Sequence, residues 1–508
     1  MTAPVSTEPL HSAQTARRER LVVAAIALGA FALRLIHLGR DSLWYDETVS
    51  VYLAGQRAAE LVAHTARDIH PPLYYLLLRG WLLLAGYPAG QADPTGYGLE
   101  WMAAFLSLGF GVLLVPLTWQ LARRLELDRL TAALAALLIA LSPFGIWYSQ
   151  EVRMYTLGAC LGVVVLLATL PFLRATVTPG HLRRAALVYA VGAAAGLYTL
   201  YYFAFLLISL NLLVALALLV RPPRPLGEGW GEDDTARSGD RPKQWRKLVV
   251  WLAAQAGALL LYLPWLPVAW RQATNPPVPP WRTMPQLLDV LVESWTALSL
   301  GQSADPAHFW PLLLLALALI ILGILNARRS PINHSQFTIH SSSIVLIAIF
   351  GPLLLILLAS LWTPLYHVRY LFTFSPAWSI LLAMGMTALW RRETRLSSAL
   401  ALTSLILLLA GSAAALRSFW NDPAFTADDH RAAVRELAQR WRPGDVILAN
   451  AGYSYPALLT YWPGVIAWHG RLIDYTQTVA QQAASERGAV ILQTGHVDGD
   501  PGIGWGDP

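Results

Sequence analysis

Two acidic residues stand side by side in Trp44-Tyr45-Asp46-Glu47, just past the end of an apolar segment. A solvated charge pair beside an interfacial aromatic belt would explain them without any chemistry. Next to a membrane surface, a carboxylate is instead partly desolvated, which makes it usable as a general base. Since adjacent side chains point in different directions, we expect Asp46 and Glu47 to have different roles.

A histidine stands at a helix start in Asp68-Ile69-His70-Pro71-Pro72. Proline is common in the first helical turn, so a structural explanation covers Pro71 but not His70. A histidine at this boundary could hold a phosphate or shift a proton, although a lone interfacial histidine is more often structural. We therefore treat His70 as a candidate substrate-binding residue.

Two arginines complete the set of candidates. Arg153 stands in Ser149-Gln150-Glu151-Val152-Arg153-Met154-Tyr155, where an ion pair with Glu151 that caps the turn is the structural alternative. Arg369 stands in His367-Val368-Arg369-Tyr370, at the start of an apolar segment. Arginine presents a fixed fork of donors that fits a phosphate or a carboxylate. Both arginines are therefore candidates for binding an anionic substrate.

The elements that must position these residues are membrane spans. The 508 residues are 56% hydrophobic and 13% charged, whereas a soluble domain has about 25% charged residues. Apolar runs such as Leu312–Leu325 and Ile344–Leu361 approach the length that a bilayer core demands. The composition thus excludes an ordinary soluble protein. The net charge of +6 is no evidence for nucleic acid, because the arginines sit beside spans.

Arginine clusters beside span ends indicate cytoplasmic loops, and they fix the parity of the crossings. Between the N-terminal cluster and Arg123-Arg124 lie three apolar segments, of which one must not cross if both flanks are cytoplasmic. The segment 71–86 is the shortest, and a helix needs about twenty residues to span. We therefore place 71–86 at the outer interface, so that 39–98 forms one long extracytoplasmic loop.

The predicted fold class is an all-α polytopic membrane protein with about eleven transmembrane helices. The N-terminal tail 1–20 is cytoplasmic, the transmembrane domain is 21–416, and 221–247 is a polar cytoplasmic linker that we expect to be disordered. The region 417–508 is extracytoplasmic and reads as a small α/β element. The predicted spans are 21–38, 99–120, 130–147, 154–173, 185–200, 202–220, 248–268, 309–325, 343–362, 369–390 and 397–416.

This topology puts all four motifs on the extracytoplasmic side of a plasma membrane. The single cysteine, Cys160, excludes an intramolecular disulfide, so the outer parts must be held by packing. The sequence contains no Cys/His zinc pattern, and we assign no metal ligand.

In their order and spacing, these motifs resemble the GT-C superfamily of polyprenyl-phosphate-sugar-dependent glycosyltransferases. The branch that they resemble contains bacterial relatives of the dolichyl-phosphate-mannose protein mannosyltransferases and of the aminoarabinose lipid A transferase. The matching pieces are Trp44-Tyr45-Asp46-Glu47, His70-Pro71-Pro72-Leu73-Tyr74, Ser142-Pro143 through Tyr155, Gly196-Leu197-Tyr198-Thr199 and Arg369-Tyr370. Two departures are Leu200, where many relatives have histidine, and Glu100-Trp101, where an arginine is often found.

The resemblance implies that the first outer loop carries membrane-parallel helices and that Asp46 is the catalytic carboxylate. It also implies that Glu47 acts in acceptor or donor binding, and that Arg153 and Arg369 lie near the active-site cavity. The expected residues for the donor phosphate or the substrate are His70, Glu151, Arg153, Tyr155, Arg369 and Tyr370.

The expected reaction transfers a sugar from a polyprenyl-phosphate donor to an acceptor hydroxyl of a protein, lipid or glycan. With Asp46 as the base, one direct displacement inverts the anomeric carbon, by analogy with inverting glycosidases. No cofactor is required, although a divalent cation near Asp46 is possible. The alternatives are a transporter or flippase of lipid-linked saccharides, whose ionisable residues would lie at mid-membrane, and a non-catalytic scaffold.

Overall fold

The computed structural model describes residues 8–86, 98–219, 234–276, 284–329, 337, 339–442, 446–449, 455–462, 466–469 and 490–493. Within these residues the chain is mainly helical. The helices of the first half are α1 (Glu8–Leu35), α2 (Tyr45–Gly55), α3 (Ala58–Arg67), α4 (Leu73–Leu84), α5 (Gly98–Arg124), α6 (Arg129–Leu141), α7 (Pro143–Gln150), α8 (Tyr155–Leu173), α9 (Pro179–Thr199) and α10 (Phe203–Leu219).

The second half continues with helices and ends in short strands. The helices are α11 (Asp234–Tyr262), α12 (Leu266–Thr274), α13 (Leu287–Leu300), α14 (Pro306–Arg329), α15 (Ser341–Ala359), α16 (Ser375–Trp390), α17 (Arg395–Asn421), α18 (His430–Arg440) and α19 (Tyr455–Tyr461). A 3₁₀ turn, Val368–Phe374, leads directly into α16. The strands β1 (Val446–Ala449), β2 (Ile466–His469) and β3 (Val490–Gln493) form a parallel sheet in the order β1-β3-β2.

The described residues contain six helices long and apolar enough to cross a membrane, or up to eight if each of two bent pairs is one span. The bent pairs are α6 with α7, at 50°, and α11 with α12, at 81°. The helical polytopic architecture is therefore as predicted, whereas the count of eleven is not reached. The predicted spans in α1, α9 and α10 account for the difference, because α1 and α9 carry arginines and α10 has only 17 residues.

The bend between α6 and α7 is held by a buried arginine. Ser142 and Pro143 interrupt the helix, and the Ser142 side chain caps α7 by accepting from the Gly145 amide. The Arg34 guanidinium donates to the Ala140 carbonyl at 2.7 Å and to the Ser149 hydroxyl at 2.9 Å. Arg34 thus satisfies backbone groups that the bend frees.

Within the predicted outer loop 39–98, the described residues 39–86 contain three short helices, α2, α3 and α4. The longest of them, α4, has 12 residues and is about 18 Å long, which is less than the ~30 Å of a bilayer core. Arg79 in α4 donates to the Ala54 carbonyl at the end of α2, at 3.2 Å. This contact ties the first and last helices of the loop together.

The predicted cytoplasmic linker needs one correction. Helix α11 begins at Asp234, inside the segment 221–247 that we expected to be disordered, while 220–233 lie outside the described residues. The expectation of disorder is wrong for 234–247, because the polar sequence there continues into the apolar span as one helix. In the same way, α1 begins at Glu8, within the polar tail 1–20.

Candidate active site

Asp46 lies in the first turn of α2, where two arginines from distant parts of the chain meet its carboxylate. Arg369, in the 3₁₀ turn before α16, places Nη1 3.3 Å from Asp46 Oδ2. Arg153, in the turn between α7 and α8, places Nη2 3.6 Å from the same oxygen. One carboxylate oxygen therefore faces two guanidinium groups.

Arg153 is buried, and protein groups hold both of its terminal nitrogens. Its side chain is 2% exposed, and Nη1 donates to the Asp46 carbonyl, the Ser50 hydroxyl and the Tyr75 hydroxyl at 3.2, 3.4 and 3.3 Å. A buried guanidinium requires such partners, because removing the charge from water is costly. Arg153 therefore joins α2, α4 and α8 around Asp46.

His70 lies between Arg153 and Asp68 and contacts both of them. Its Nε2 lies 3.0 Å from Arg153 Nη2, and its Nδ1 lies 3.4 Å from Asp68 Oδ2. Since a guanidinium only donates, His70 accepts from Arg153 through Nε2 and donates to Asp68 through Nδ1. Both ring nitrogens are thus occupied by protein groups, which gives His70 a positioning role toward Arg153.

Arg369 is more open, with 19% of its side chain exposed. Its Nη1 lies 3.4 Å from the Tyr155 hydroxyl, and its Nε and Nη2 lie 3.2 and 3.1 Å from His367 Nε2. The guanidinium carbon lies 5.8 Å from the centre of the Trp44 ring. With Asp46 these partners occupy Arg369, but its exposed part can meet an anion, whereas Arg153 is almost completely buried.

Tyr370, the neighbour of Arg369, faces another part of the fold. Its ring stacks on Tyr202 with centres 3.6 Å apart and lies 6.4 Å from the Tyr155 ring. The expected substrate-binding tyrosines are therefore close to each other, but among the described contacts it is Tyr155 that bonds to Arg369.

Glu47 and Glu151 form a second acidic group beside Asp46. Glu47 is buried and accepts from the amides of Val152 at 2.7 Å and Trp44 at 3.1 Å. Burial, with repulsion from Glu151, raises the pKa of Glu47 to about 8, and burial raises the pKa of Glu151 to about 7. Each of the two carboxyl groups therefore takes up a proton at a higher pH than a solvated glutamate does.

A cavity of about 450 Å³ opens beside these residues. Its wall includes Glu47, Glu151 and Arg369, together with Trp44, Trp147, Tyr148, Gln302 and His367. Asp46 lies next to this space through its contact with Arg369. The volume falls within the range of small-molecule sites, about 300–1,000 Å³, and carboxyl and aromatic groups of this kind can bind a polyhydroxylated ring.

The C-terminal region braces the segment that leads into Asp46. Arg431 of α18 donates to Glu100 Oε1 at 2.8 Å, and the Tyr461 hydroxyl of α19 donates to the same oxygen at 2.9 Å. Tyr461 also accepts from the Leu43 amide at 2.9 Å, and the Arg431 amide donates to the Ser42 hydroxyl at 3.1 Å. The carboxylate of Glu100 is thus paired with an arginine from α18.

Sequence reasoning missed several of these partners. It assigned no role to Asp68 or His367, although both stand in the quoted motifs, and it did not connect Gln302, Arg431 or Tyr461 with the site. The pairing of Glu100 with Arg431 spans 331 residues and leaves no local pattern. Within the described part of the chain, no group of three or more His, Cys, Asp or Glu side chains could hold a metal ion.

Comparisons with known proteins identify similar structures but not similar sequences. No family model matches the chain, and no curated protein matches it. The apo structure of ArnT from Cupriavidus metallidurans is 13% identical and superposes with a TM-score of 0.53, over 94% of this chain and 90% of that one. The structure of the same protein bound to undecaprenyl phosphate is 14% identical, with a TM-score of 0.50 over 96% and 90% of the two chains.

The oligosaccharyltransferase of Archaeoglobus fulgidus is 15% identical, with a TM-score of 0.49 over 92% of this chain. This chain spans 62% of the length of that enzyme. At such identities the likeness to these structures concerns the fold.

Proposed function

Since the chain has the fold of the GT-C glycosyltransferases, we propose that it transfers a sugar from a polyprenyl-phosphate donor to an acceptor hydroxyl. The observation that carries this proposal is the convergence of Arg153 and Arg369 on Asp46, beside a cavity of sugar size. Such a transfer requires a base and positive charge near the leaving phosphate.

The donor phosphate gains charge as the bond between the anomeric carbon and the phosphate oxygen breaks. Arg369 is the group that would hold it, because its fork of donors is partly exposed and needs only to turn from Asp46. Arg153 keeps Asp46 in place and adds positive charge behind it. Each charged hydrogen bond to the leaving phosphate contributes about 1.5–3 kcal/mol.

The acceptor hydroxyl attacks the anomeric carbon from the face opposite the phosphate, and its proton passes to Asp46. The new carbon–oxygen bond forms as polyprenyl phosphate leaves, so one displacement inverts the anomeric centre. A correctly placed general base contributes about 10²–10⁴ in rate. Glu47 and Glu151, on the wall of the cavity, would accept hydrogen bonds from the acceptor or the sugar.

The proposed transfer needs no cofactor, because the two arginines supply the positive charge that a leaving phosphate demands. A divalent cation at Asp46 would have to share the carboxylate with both guanidinium groups, which opposes its binding. We place the reaction on the extracytoplasmic face, as the distribution of arginines at the span ends suggests.

A transporter or flippase is the alternative. Transporters expose ionisable groups to a cavity at the membrane midplane. The two charges that the sequence places inside apolar segments, Arg34 and Arg79, instead donate to backbone carbonyls within the fold. Their donors serve packing between helices, which favours the enzyme over the transporter.

The two functions differ in what happens to the donor. We would reconstitute the purified protein in liposomes with undecaprenyl phosphate carrying a tritiated hexose or pentose, and add membrane glycolipids and proteins as acceptors. A transferase releases undecaprenyl phosphate and moves the label to an acceptor. Movement of the intact donor between leaflets, with no loss of its sugar, would contradict the proposal.

A further inference from the structure

A large groove lies at the end of the helix bundle that is remote from Asp46. It has a volume of about 1,260 Å³, above the ~300–1,000 Å³ of typical small-molecule pockets. Helix α8 begins at Tyr155, beside the active site, and reaches the groove with its last turns. With 19 residues this helix is about 28 Å long, so the groove is separate from the candidate active site.

Three helices each contribute one face to the groove. Its wall includes Leu117 and Arg124 from α5, Leu167 and Pro171 from α8, and Arg184 and Val188 from α9, and the segment between α8 and α9 completes it. The two residues of each pair are four or seven positions apart, so they lie on the same side of their helix. The groove is therefore a built feature between packed helices.

The groove is apolar inside and positively charged at its mouth. Leu117, Val164 and Leu167 lie in its inner part, about 10 Å along the helix axis from the basic end. Arg124, His181 and Arg184 lie at the mouth and are exposed, and the wall contains no Asp or Glu among the described residues. Arg174, also on the wall, pairs with Glu126 at 3.4 Å.

We propose that this groove binds one anionic glycerophospholipid, with its phosphate between Arg124 and Arg184 and an acyl chain against Leu167. The N-terminus of α9, capped by Thr178, opens on the same mouth and adds amide donors that favour an anion. Basic side chains at a span end attract anionic headgroups, and the apolar wall accounts for the chain. The lipid stands apart from the proposed sugar transfer, since its headgroup lies at the other end of α8.

Native mass spectrometry of the purified full-length protein tests this proposal. The probes are phosphatidylglycerol and phosphatidylcholine with identical acyl chains. We expect one phosphatidylglycerol to bind at least about tenfold more tightly than phosphatidylcholine, because the latter adds a cation next to the arginines. Equal binding of the two lipids, or displacement of phosphatidylglycerol by inorganic phosphate, would overturn the proposal.

Two double variants distinguish lipid binding in the groove from a general attraction of anionic lipid to basic surfaces. Arg124→Gln with Arg184→Gln should weaken phosphatidylglycerol binding about tenfold or more. The matched control, Arg392→Gln with Arg395→Gln, removes the same charge at exposed positions outside the groove and should leave binding unchanged.

A third variant keeps every charge but fills the apolar part. Leu167→Trp should abolish tight binding while leaving sugar transfer intact. If the groove variants bind phosphatidylglycerol as the wild type does, the site is not in this groove. Failure of the sugar-transfer assay with normal lipid binding would count against the proposed function alone.

Discussion

At the scale of single residues, the two arginines at Asp46 differ in how they are held. Arg153 is 2% exposed and has acceptors on α2 and α4, so it acts as a fixed part of the scaffold. Arg369 is 19% exposed and faces His367, Tyr155 and the Asp46 carboxylate. We infer that Arg369 moves to the donor phosphate while Arg153 stays in place.

This difference predicts separate effects of two lysine variants. Arg369→Lys keeps a charge but loses the fork of donors, so kcat/KM for the donor should fall about 10- to 100-fold with little change in thermal stability. Arg153→Lys leaves buried acceptors without partners and should also destabilise the protein by about 1–3 kcal/mol. Donor titrations and thermal unfolding in detergent measure both effects, and the reverse pattern would contradict the assignment.

The acidic pair predicts a pH dependence. Burial raises the pKa of Glu151 to about 7 and, with repulsion from Glu151, raises the pKa of Glu47 to about 8. If the ionised pair accepts hydrogen bonds from the substrate, kcat/KM should rise with pH, with a midpoint between 7 and 8.

The variant Glu151→Gln removes the negative neighbour of Glu47. The pKa of Glu47 should then fall, and the midpoint of the kcat/KM profile should move to lower pH. The control is Glu60→Gln, at an exposed position of the first outer loop, which also contains Glu47. A midpoint that stays in place or moves upward in Glu151→Gln would exclude the pair from the pH profile.

The residues that could take part in the chemistry could be identified from the sequence, but the distances between their side chains could not. Asp46, Arg153 and Arg369 stand out because they are charged residues at span ends that the predicted topology places on the extracytoplasmic side, away from the cytoplasmic arginine clusters. That Arg369 would reach the same oxygen as Arg153 depends on packing between parts of the chain 323 residues apart, which no local pattern encodes. Asp68 was missed because its effect on Arg153 passes through His70.

At the scale of elements, the start of α2 is held between the membrane helices and the C-terminal region. The Glu100 carboxylate at the start of α5 is buried and accepts hydrogen bonds from Arg431 and Tyr461. The Tyr461 hydroxyl also accepts a hydrogen bond from the amide of Leu43, which lies two residues before α2. Helices α18 and α19 thereby limit how far Asp46 can move.

A double-mutant cycle tests this bracing. Glu100→Gln or Arg431→Met alone leaves a buried charge without its partner, which costs about 3–5 kcal/mol. The double variant removes both charges and should be more stable than either single variant. Thermal unfolding measures the coupling, and transfer by the double variant should be slower than wild type because Ser42 and Leu43 are less restrained. Additive losses of stability would show that the pair is not coupled.

Most helices could be predicted from apolar runs and their ends, whereas breaks within them could not. The segment 130–147 reads as one span, yet Ser142 and Pro143 bend it by 50°. The stabilising partner of that bend, Arg34, lies 106 residues before Ala140 in the chain. In α11 the polar residues from Asp234 onward form the first part of the same helix as the apolar span. Their polar composition alone had indicated disorder.

At the scale of the whole molecule, the active-site residues gather at one end of the bundle and the basic groove at the other. The proposed sugar transfer requires Asp46 and Arg369 to face the same side of the membrane. Cysteine labelling tests this requirement, because the natural Cys160 is buried and should not react.

The labelling variants are Ala58→Cys in the first loop, Thr363→Cys before Arg369 and Glu393→Cys at the other end, all at exposed positions. A membrane-impermeant maleimide added to intact cells should label the first two, and should label Glu393→Cys only after permeabilisation. Labelling of Ala58→Cys and Thr363→Cys from opposite sides would contradict the topology.

The central claim is that Asp46 takes the proton of the acceptor in a transfer from a polyprenyl-phosphate sugar. The most direct measurement is the single-turnover rate of sugar transfer by reconstituted Asp46→Asn, compared with wild type and with Glu60→Gln. We expect the rate of Asp46→Asn to be lower by about 10²–10⁴ and the rate of Glu60→Gln to be normal. An undiminished rate in folded, membrane-inserted Asp46→Asn would contradict this claim.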